Sequence, residues 1–293
     1  PDMIMYSYHS LKLSFSMLGL LGVYFFYRAS ILITKRENRK FFWLLLLFPS
    51  ILVYGSLIGK DVYMLFFFSL YTLSLVTWHY EKKGLYLFLG LLSLGAIAYV
   101  RIWMGLIGLF PLMIYTLISG KTLFNKIVGV CLAGFLFSQT LIFMGQMLGF
   151  SDMYQLAEKL EGSAHSGARG GSAIDRPETK LEGPLDIIKL APEGVFTALL
   201  RPLPGDVSGL MGFLAGLEGL LLLYLLFRAV IRTQLRELNN PIVIWAIILV
   251  LGWAILYGTQ IQNFGTGVRW RIQILPIFLG LLCYLGRARH KKV

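Results

Sequence analysis

From Pro241 to Gly258 the chain runs for 18 residues without an Asp, Glu, Lys, Arg or His. Backbone N–H and C=O groups that enter hydrocarbon must pair within their own segment, so such a run reads as a membrane-spanning α-helix. Comparable runs lie near 11–33, 41–58, 62–80, 84–100, 102–119, 124–148, 207–227 and 272–286, and together they predict about nine spans. The stretch 84–119 is too long for one helix, and Arg101 divides it. Only 14% of the residues are charged and 57% are hydrophobic, against about 25% charged in soluble domains. The expected fold is therefore an all-α integral membrane bundle. It forms one membrane domain with N-terminal helices over 1–149, a long extracytoplasmic loop over 150–206 and C-terminal helices over 207–293.

The basic residues orient this bundle. Cytoplasmic loops carry an excess of Lys and Arg, and the densest cluster is Lys35-Arg36-Glu37-Asn38-Arg39-Lys40. Alternating from there places Glu81-Lys82-Lys83, Lys121 and Lys126, Arg228/Arg232/Arg236 and the tail Arg287–Lys292 on the same side. The net charge of +12 then reflects topology, and nucleic acid is not an expected partner. The first residue would face outward and the C-terminus inward. The start at Pro1-Asp2, with neither Met nor a signal-peptide pattern, suggests that the chain is truncated and lacks an odd number of upstream spans. Cys131 and Cys283 fall inside apolar runs, and the four histidines have no ligand spacing. Neither a metal nor a cofactor is expected.

The opposite face collects the residues that topology leaves unexplained. Lys60-Asp61 opens the span at 62–80. Asp61 could cap that helix at its positive dipole end, or act as an acid/base carboxylate. Lys60 could reach the lipid headgroups, or contact an anion. Arg101, between Tyr99 and Trp103, sits where a charge costs roughly 2.5–3.5 kcal/mol on insertion scales. It reads either as an interfacial anchor or as a phosphate contact suited to its planar fork.

The segment 150–206 is the only long hydrophilic stretch. Ser151–Gly162 and Leu185–Leu200 have amphipathic helical patterns, with the second expected to lie in the interface plane. Gly162–Ala173 is rich in Gly, Ser and Ala, as a loop would be. Arg201-Pro202-Leu203-Pro204 should stop the second helix. A lid or substrate-binding role suits a loop of this length.

Gln262-Asn263-Phe264-Gly265-Thr266-Gly267-Val268-Arg269-Trp270-Arg271 carries the strongest local signal. Its glycines allow close backbone approach, Asn263 supplies hydrogen bonds, and Arg269 and Arg271 have the wrong sign for an outward loop. Anion recognition accounts for them. Glu218 stands alone within Leu210–Leu226, either as a functional intramembrane acid or as a protonated structural one. Gly212-Phe213-Leu214-Ala215-Gly216 in the same span fits close helix packing.

Lys60, Arg101, Arg201, Arg269 and Arg271 all sit at outer helix ends. Converging, they would form an anion site where a lipid-linked phosphate meets water while its isoprenoid tail lies among helices. Asn263 and Glu218 would join them in binding, and Asp61 would activate an acceptor hydroxyl.

Phe48-Pro49-Ser50 with Gly59-Lys60-Asp61, Leu200-Arg201-Pro202-Leu203-Pro204, and Asn263-Phe264-Gly265 with Arg269, Arg271 and Pro276 resemble bacterial polytopic cell-surface polysaccharide proteins. These comprise lipid-carrier-dependent C-type glycosyltransferases and O-antigen-type polymerases. The likeness implies transfer of sugar from a polyprenyl-phosphate or polyprenyl-diphosphate donor, with outer-loop arginines handling the diphosphate. It also implies contact with membrane lipid and with envelope polysaccharide assembly partners. In C-type transferases the catalytic carboxylate lies in the first outer loop, which this chain would lack. The competing reading is a transporter or flippase for an anionic or lipid-linked substrate. That reading requires broken helices at mid-membrane and internal repeats, and no repeat is evident.

Overall fold

A computed structural model describes residues 8–120, 122–148, 172–174 and 184–288. Among them every extended regular element is a helix. In chain order these are α1 (Tyr8–Thr34), α2 (Arg39–Leu46), α3 (Pro49–Tyr54), α4 (Lys60–Glu81), α5 (Gly84–Val100), α6 (Ile102–Ser119), α7 (Leu123–Leu148), α8 (Pro184–Leu200), α9 (Gly209–Arg232), α10 (Leu235–Leu238), α11 (Pro241–Gln260), α12 (Phe264–Arg271) and α13 (Leu275–Leu285). Five of them, α1, α4, α6, α9 and α11, are long and apolar enough to cross a membrane, and α12 with α13 would make a sixth. The chain is a helical membrane protein.

Polarity is distributed as lipid demands. Phe88, Leu92, Leu210, Met211, Phe227 and Val230 are exposed, whereas Asp61, Ser69, Thr72, Thr197, Glu218, Arg271 and Gln273 are buried. Hydroxyls inside the helices are satisfied locally. Thr72 Oγ1 donates to Phe68 O at 2.7 Å, and Ser93 Oγ to Leu89 O at 2.8 Å, the i−4 geometry that keeps polar groups paired away from water.

The chain divides into two compact units, Pro1–Val100 with Ile272–Ile277, and Arg101–Arg271 with Phe278–Val293. In the first, α4 packs between α1 and α5. Close approach rests on glycine, because lipid tails offer no hydrophobic drive for helices to associate. A Cβ on Gly22 of α1 would come within 3.1 Å of Phe66 Cα. The expected span at 41–58 is instead the short pair α2 and α3. Pro49 lacks an N–H and pushes Phe48 out of the helical region, to φ −63° and ψ 123°, which ends the first helix.

In the second unit, α6 packs on α7 and on α11, and α8 packs on α11, α9 and α12. Arg101 separates α5 from α6 as its charge suggested, with an extended backbone at φ −144° and ψ 101°. α8 forms where an amphipathic helix was expected. It is seated on α11, and a Cβ on Gly194 would meet Gly258 C at 3.1 Å. The Gly212/Gly216 pair of α9 lies against Val207 and against Leu203–Pro204, so these glycines admit a connecting segment. The last expected span, near 272–286, holds α13. α12 and α13 meet at a 73° bend over the turn residues 272–274. The stretch 151–162 and the loop 162–171 lie outside the described residues.

Candidate functional site

α12 organises the polar groups of the second unit. It buries Phe264, Gly267, Val268 and Arg271, a three-and-four-residue spacing that defines one helix face. Asn263 holds its N-terminal end. The Asn263 side-chain oxygen accepts from Gly265 N at 2.8 Å and Thr266 N at 3.3 Å, as a capping residue does. It also accepts from Ser172 Oγ at 2.8 Å. Two backbone bonds add to this, Phe264 N to Ser172 O and Ile174 N to Gln262 O, both 2.9 Å. Residues 172–174 of the long loop are thereby docked on the start of α12. Asn263, predicted to bind substrate, here serves as a helix cap and a loop anchor.

Arg271 is fully buried. Its Nη2 donates to Glu218 Oε1 of α9 at 2.9 Å, and its Nη1 to the carbonyls of Leu199 and Arg201, each at 3.0 Å. Glu218 is buried with it, so the lone acid of an apolar helix pairs with the one arginine that is fully buried among the described residues. The pair ties α9, α12 and the end of α8 together. The approach requires a missing side chain at Gly219, where a Cβ would clash with the carbonyl oxygens of Pro202 and Leu200.

Arg201, at the end of α8, makes a two-pronged contact with Asp206. Its Nε donates to Oδ2 at 2.9 Å and its Nη2 to Oδ1 at 2.7 Å, while Leu203 N donates to Oδ2 at 2.7 Å. The guanidinium lies 4.5 Å from the centre of the Phe264 ring, within cation–π range. Its side chain keeps 28% of its surface exposed. The Arg201 hydrogen bonds hold the Asp206 carboxyl below its ordinary range, and the same contact raises Arg201.

Arg101 is half-buried beside an aromatic group contributed by α11 and α12. Its Nη1 donates to the Tyr257 hydroxyl at 2.7 Å, which also accepts from Trp103 Nε1 at 3.2 Å. The guanidinium is 5.7 Å from the Trp270 ring. Tyr257 stacks on Trp253 at 4.9 Å and meets Trp270 edge-on at 5.1 Å. Arg269, the next residue along α12, is exposed.

Three arginines from separate stretches of sequence are thus gathered on one eight-residue helix: Arg101 through Trp270, Arg201 through Phe264, and Arg271 as part of it. Each meets an aromatic ring, a carboxylate or a carbonyl. Lys60 and Asp61 belong to the other unit. Lys60 is exposed. Asp61 is buried, and Gln273 Nε2 donates to its Oδ1 at 2.7 Å. Asp61 does not cap α4. Gly59 is the N-cap, without a side-chain cap bond, and Asp61 stands in the first turn, where the helix dipole still favours a carboxylate.

Sequence reasoning passed over Asp206, Tyr257 and Gln273. Asp206 follows a Pro-Leu-Pro-Gly turn that folds it back onto Arg201, and Gln273 is the only polar side chain between Arg271 and Cys283. Both carried a signal. Tyr257 lies among other aromatics and carried none. Among the described residues no group of His, Cys, Asp and Glu could hold a metal. Comparison of the chain with protein-family models, curated proteins and solved structures gives no match.

Proposed function

We propose that this chain is an integral membrane glycosyltransferase or polysaccharide polymerase. Its donor would be a polyprenyl-phosphate or polyprenyl-diphosphate sugar, used at the extracytoplasmic face of a bacterial inner membrane. One observation carries the reading, the contact of Arg101 with Trp270 and of Arg201 with Phe264 on α12, the helix that also carries the exposed Arg269. A half-desolvated arginine fork recognises a phosphate geometrically and electrostatically, and aromatic rings beside it suit an isoprenoid tail. Arg271 and Glu218 become the scaffold beneath this site, because their charges engage one another.

In the proposed reaction an acceptor hydroxyl attacks the anomeric carbon and the bond from that carbon to the carrier phosphate breaks. The phosphate leaves with the electron pair. Its added charge is stabilised by Arg101, Arg201 and Arg269. The hydroxyl proton passes to a carboxylate base. The nine-span arrangement, with the 150–206 loop outside and the C-terminus in the cytoplasm, belongs to the same proposal.

A second reading has its own support. The 73° break between α12 and α13 has the form of the discontinuous helices with which transporters bind substrate. Reconstitution of the chain in vesicles with a polyprenyl-diphosphate sugar separates the two. Cleavage that frees the carrier supports the enzyme, and protected uptake of uncleaved substrate supports transport. Tyr257→Phe, which removes the acceptor for Arg101, should weaken donor binding by roughly tenfold. Unchanged donor affinity in this variant would remove Arg101 from the site.

A further inference from the structure

The far end of α9 carries a second basic feature, independent of the α12 site. α9 finishes at Arg232 and α13 at Leu285, and the two ends are tied together. Arg228 Nε donates to Gly286 O at 2.8 Å, with Arg232 Nη1 3.5 Å from the same oxygen. Beside this junction opens a cleft of about 530 Å3, lined by Ile231, Arg232, Thr233, Gln234, Arg287 and Ala288.

Helix ending accounts for part of the charge, since arginines near a C-terminus favourably meet its carbonyls. A second part is neutralised in place, because Arg287 Nη2 lies 2.5 Å from Glu237 Oε1. Even so, Arg228, Arg232, Arg236 and Arg287 outnumber Glu237, the one acid within 228–238 and 284–288 of the sequence. Neither helix capping nor this ion pair explains why the surplus borders an open cleft.

The apolar surroundings indicate what kind of anion fits. Phe227, Val230 and Ile231 on the last turns of α9 are exposed by 63%, 71% and 65%, and Ile231 also lines the cleft. The cleft therefore opens directly onto a lipid-facing surface. A phosphate held by Arg232 and Arg287 would leave its acyl chains to run along Phe227, Val230 and Ile231. Basic pockets at the ends of membrane helices hold anionic headgroups in this way. A soluble phosphate would use the charge and waste the apolar wall. We propose that this cleft binds the headgroup of an anionic phospholipid, which clamps the ends of α9 and α13.

Native mass spectrometry of the full chain in detergent, titrated with phosphatidylglycerol and with phosphatidylcholine, tests the assignment. Phosphatidylglycerol should be retained in preference. Arg232→Gln should lower its affinity by roughly fivefold, the effect of one arginine at a membrane surface. Arg232→Lys should keep the preference, and Arg236→Gln, outside the cleft, should leave it unchanged. Equal retention of the two lipids, or an Arg232→Gln variant with wild-type affinity, overturns the proposal. Displacement of phosphatidylglycerol by glycerol phosphate would assign the cleft to a soluble phosphate and overturn the lipid source. Because Arg232→Lys keeps the charge, its behaviour separates lost binding from a damaged fold.

Discussion

Two arginine–carboxylate pairs within one unit show how burial divides scaffold from site. Arg271–Glu218 is completely buried, makes one 2.9 Å ion contact through Nη2 and gives Nη1 to two backbone carbonyls, while the buried Nε finds no partner among the described residues. Arg201–Asp206 is two-pronged and shorter, yet its side chains keep 28% and 18% of their surface. In the first pair the attraction acts at low dielectric and must offset the desolvation of both charges. In the second, water shares the work and each partner costs little to uncover. A group that must meet a ligand belongs to the second class, because exchanging its partner for a phosphate requires no helix to move.

The comparison breaks most readily at Glu218. Glu218→Leu leaves a buried guanidinium unpaired and should destabilise the protein by about 3–5 kcal/mol. The double variant Glu218→Leu/Arg271→Met should recover most of that loss, as thermal unfolding in detergent would show. If the single variant unfolds like wild type, the pair is not the scaffold described here.

Gly219 sharpens the same point. Its missing side chain lets α9 approach the Leu200 and Pro202 carbonyls, so Gly219→Ala should cost about 1–3 kcal/mol through overpacking. The neighbouring Ala215→Gly, with no such approach described, should change the unfolding midpoint far less.

The smallest effect is expected at Asp206. Its carboxyl is held below the ordinary range by Arg201, so the folded state binds this proton less readily than the unfolded chain. The resulting stability is fully present above the ordinary aspartate value of about 3.9 and is lost as pH falls through the depressed one. Asp206→Asn should remove less than about 1 kcal/mol at neutral pH, and should remove the Asp206 contribution to the acid slope of unfolding. An unchanged slope would place the titration elsewhere.

Arg101 was legible as a divider because a charge at membrane depth forces a helix boundary. Pro202 and Pro204 were legible as the end of α8, which finishes at Leu200, although Pro192 and Pro111 are carried inside helices. The break at Pro49 was legible only as a kink, since how far a span opens at proline depends on its neighbours. Within the site the arginines were legible by type. Their roles were not. Arg271 and Arg269 stand two positions apart on one helix, so they point to different sides, one buried and the other exposed. Asn263 had the composition of a ligand-binding residue, and the structure adds that its side-chain oxygen caps its own helix and accepts from Ser172.

By itself the sequence determined that this chain is a helical membrane protein with charge concentrated at helix ends. The reason is local, since a helix satisfies its own backbone four residues away and needs only an apolar run of sufficient length. Tertiary structure alone decided that Glu218 meets Arg271 across 53 residues and that Asp61 meets Gln273 across 212. Those pairings depend on which helix faces approach one another, and glycines set that approach. No periodicity along the chain encodes it.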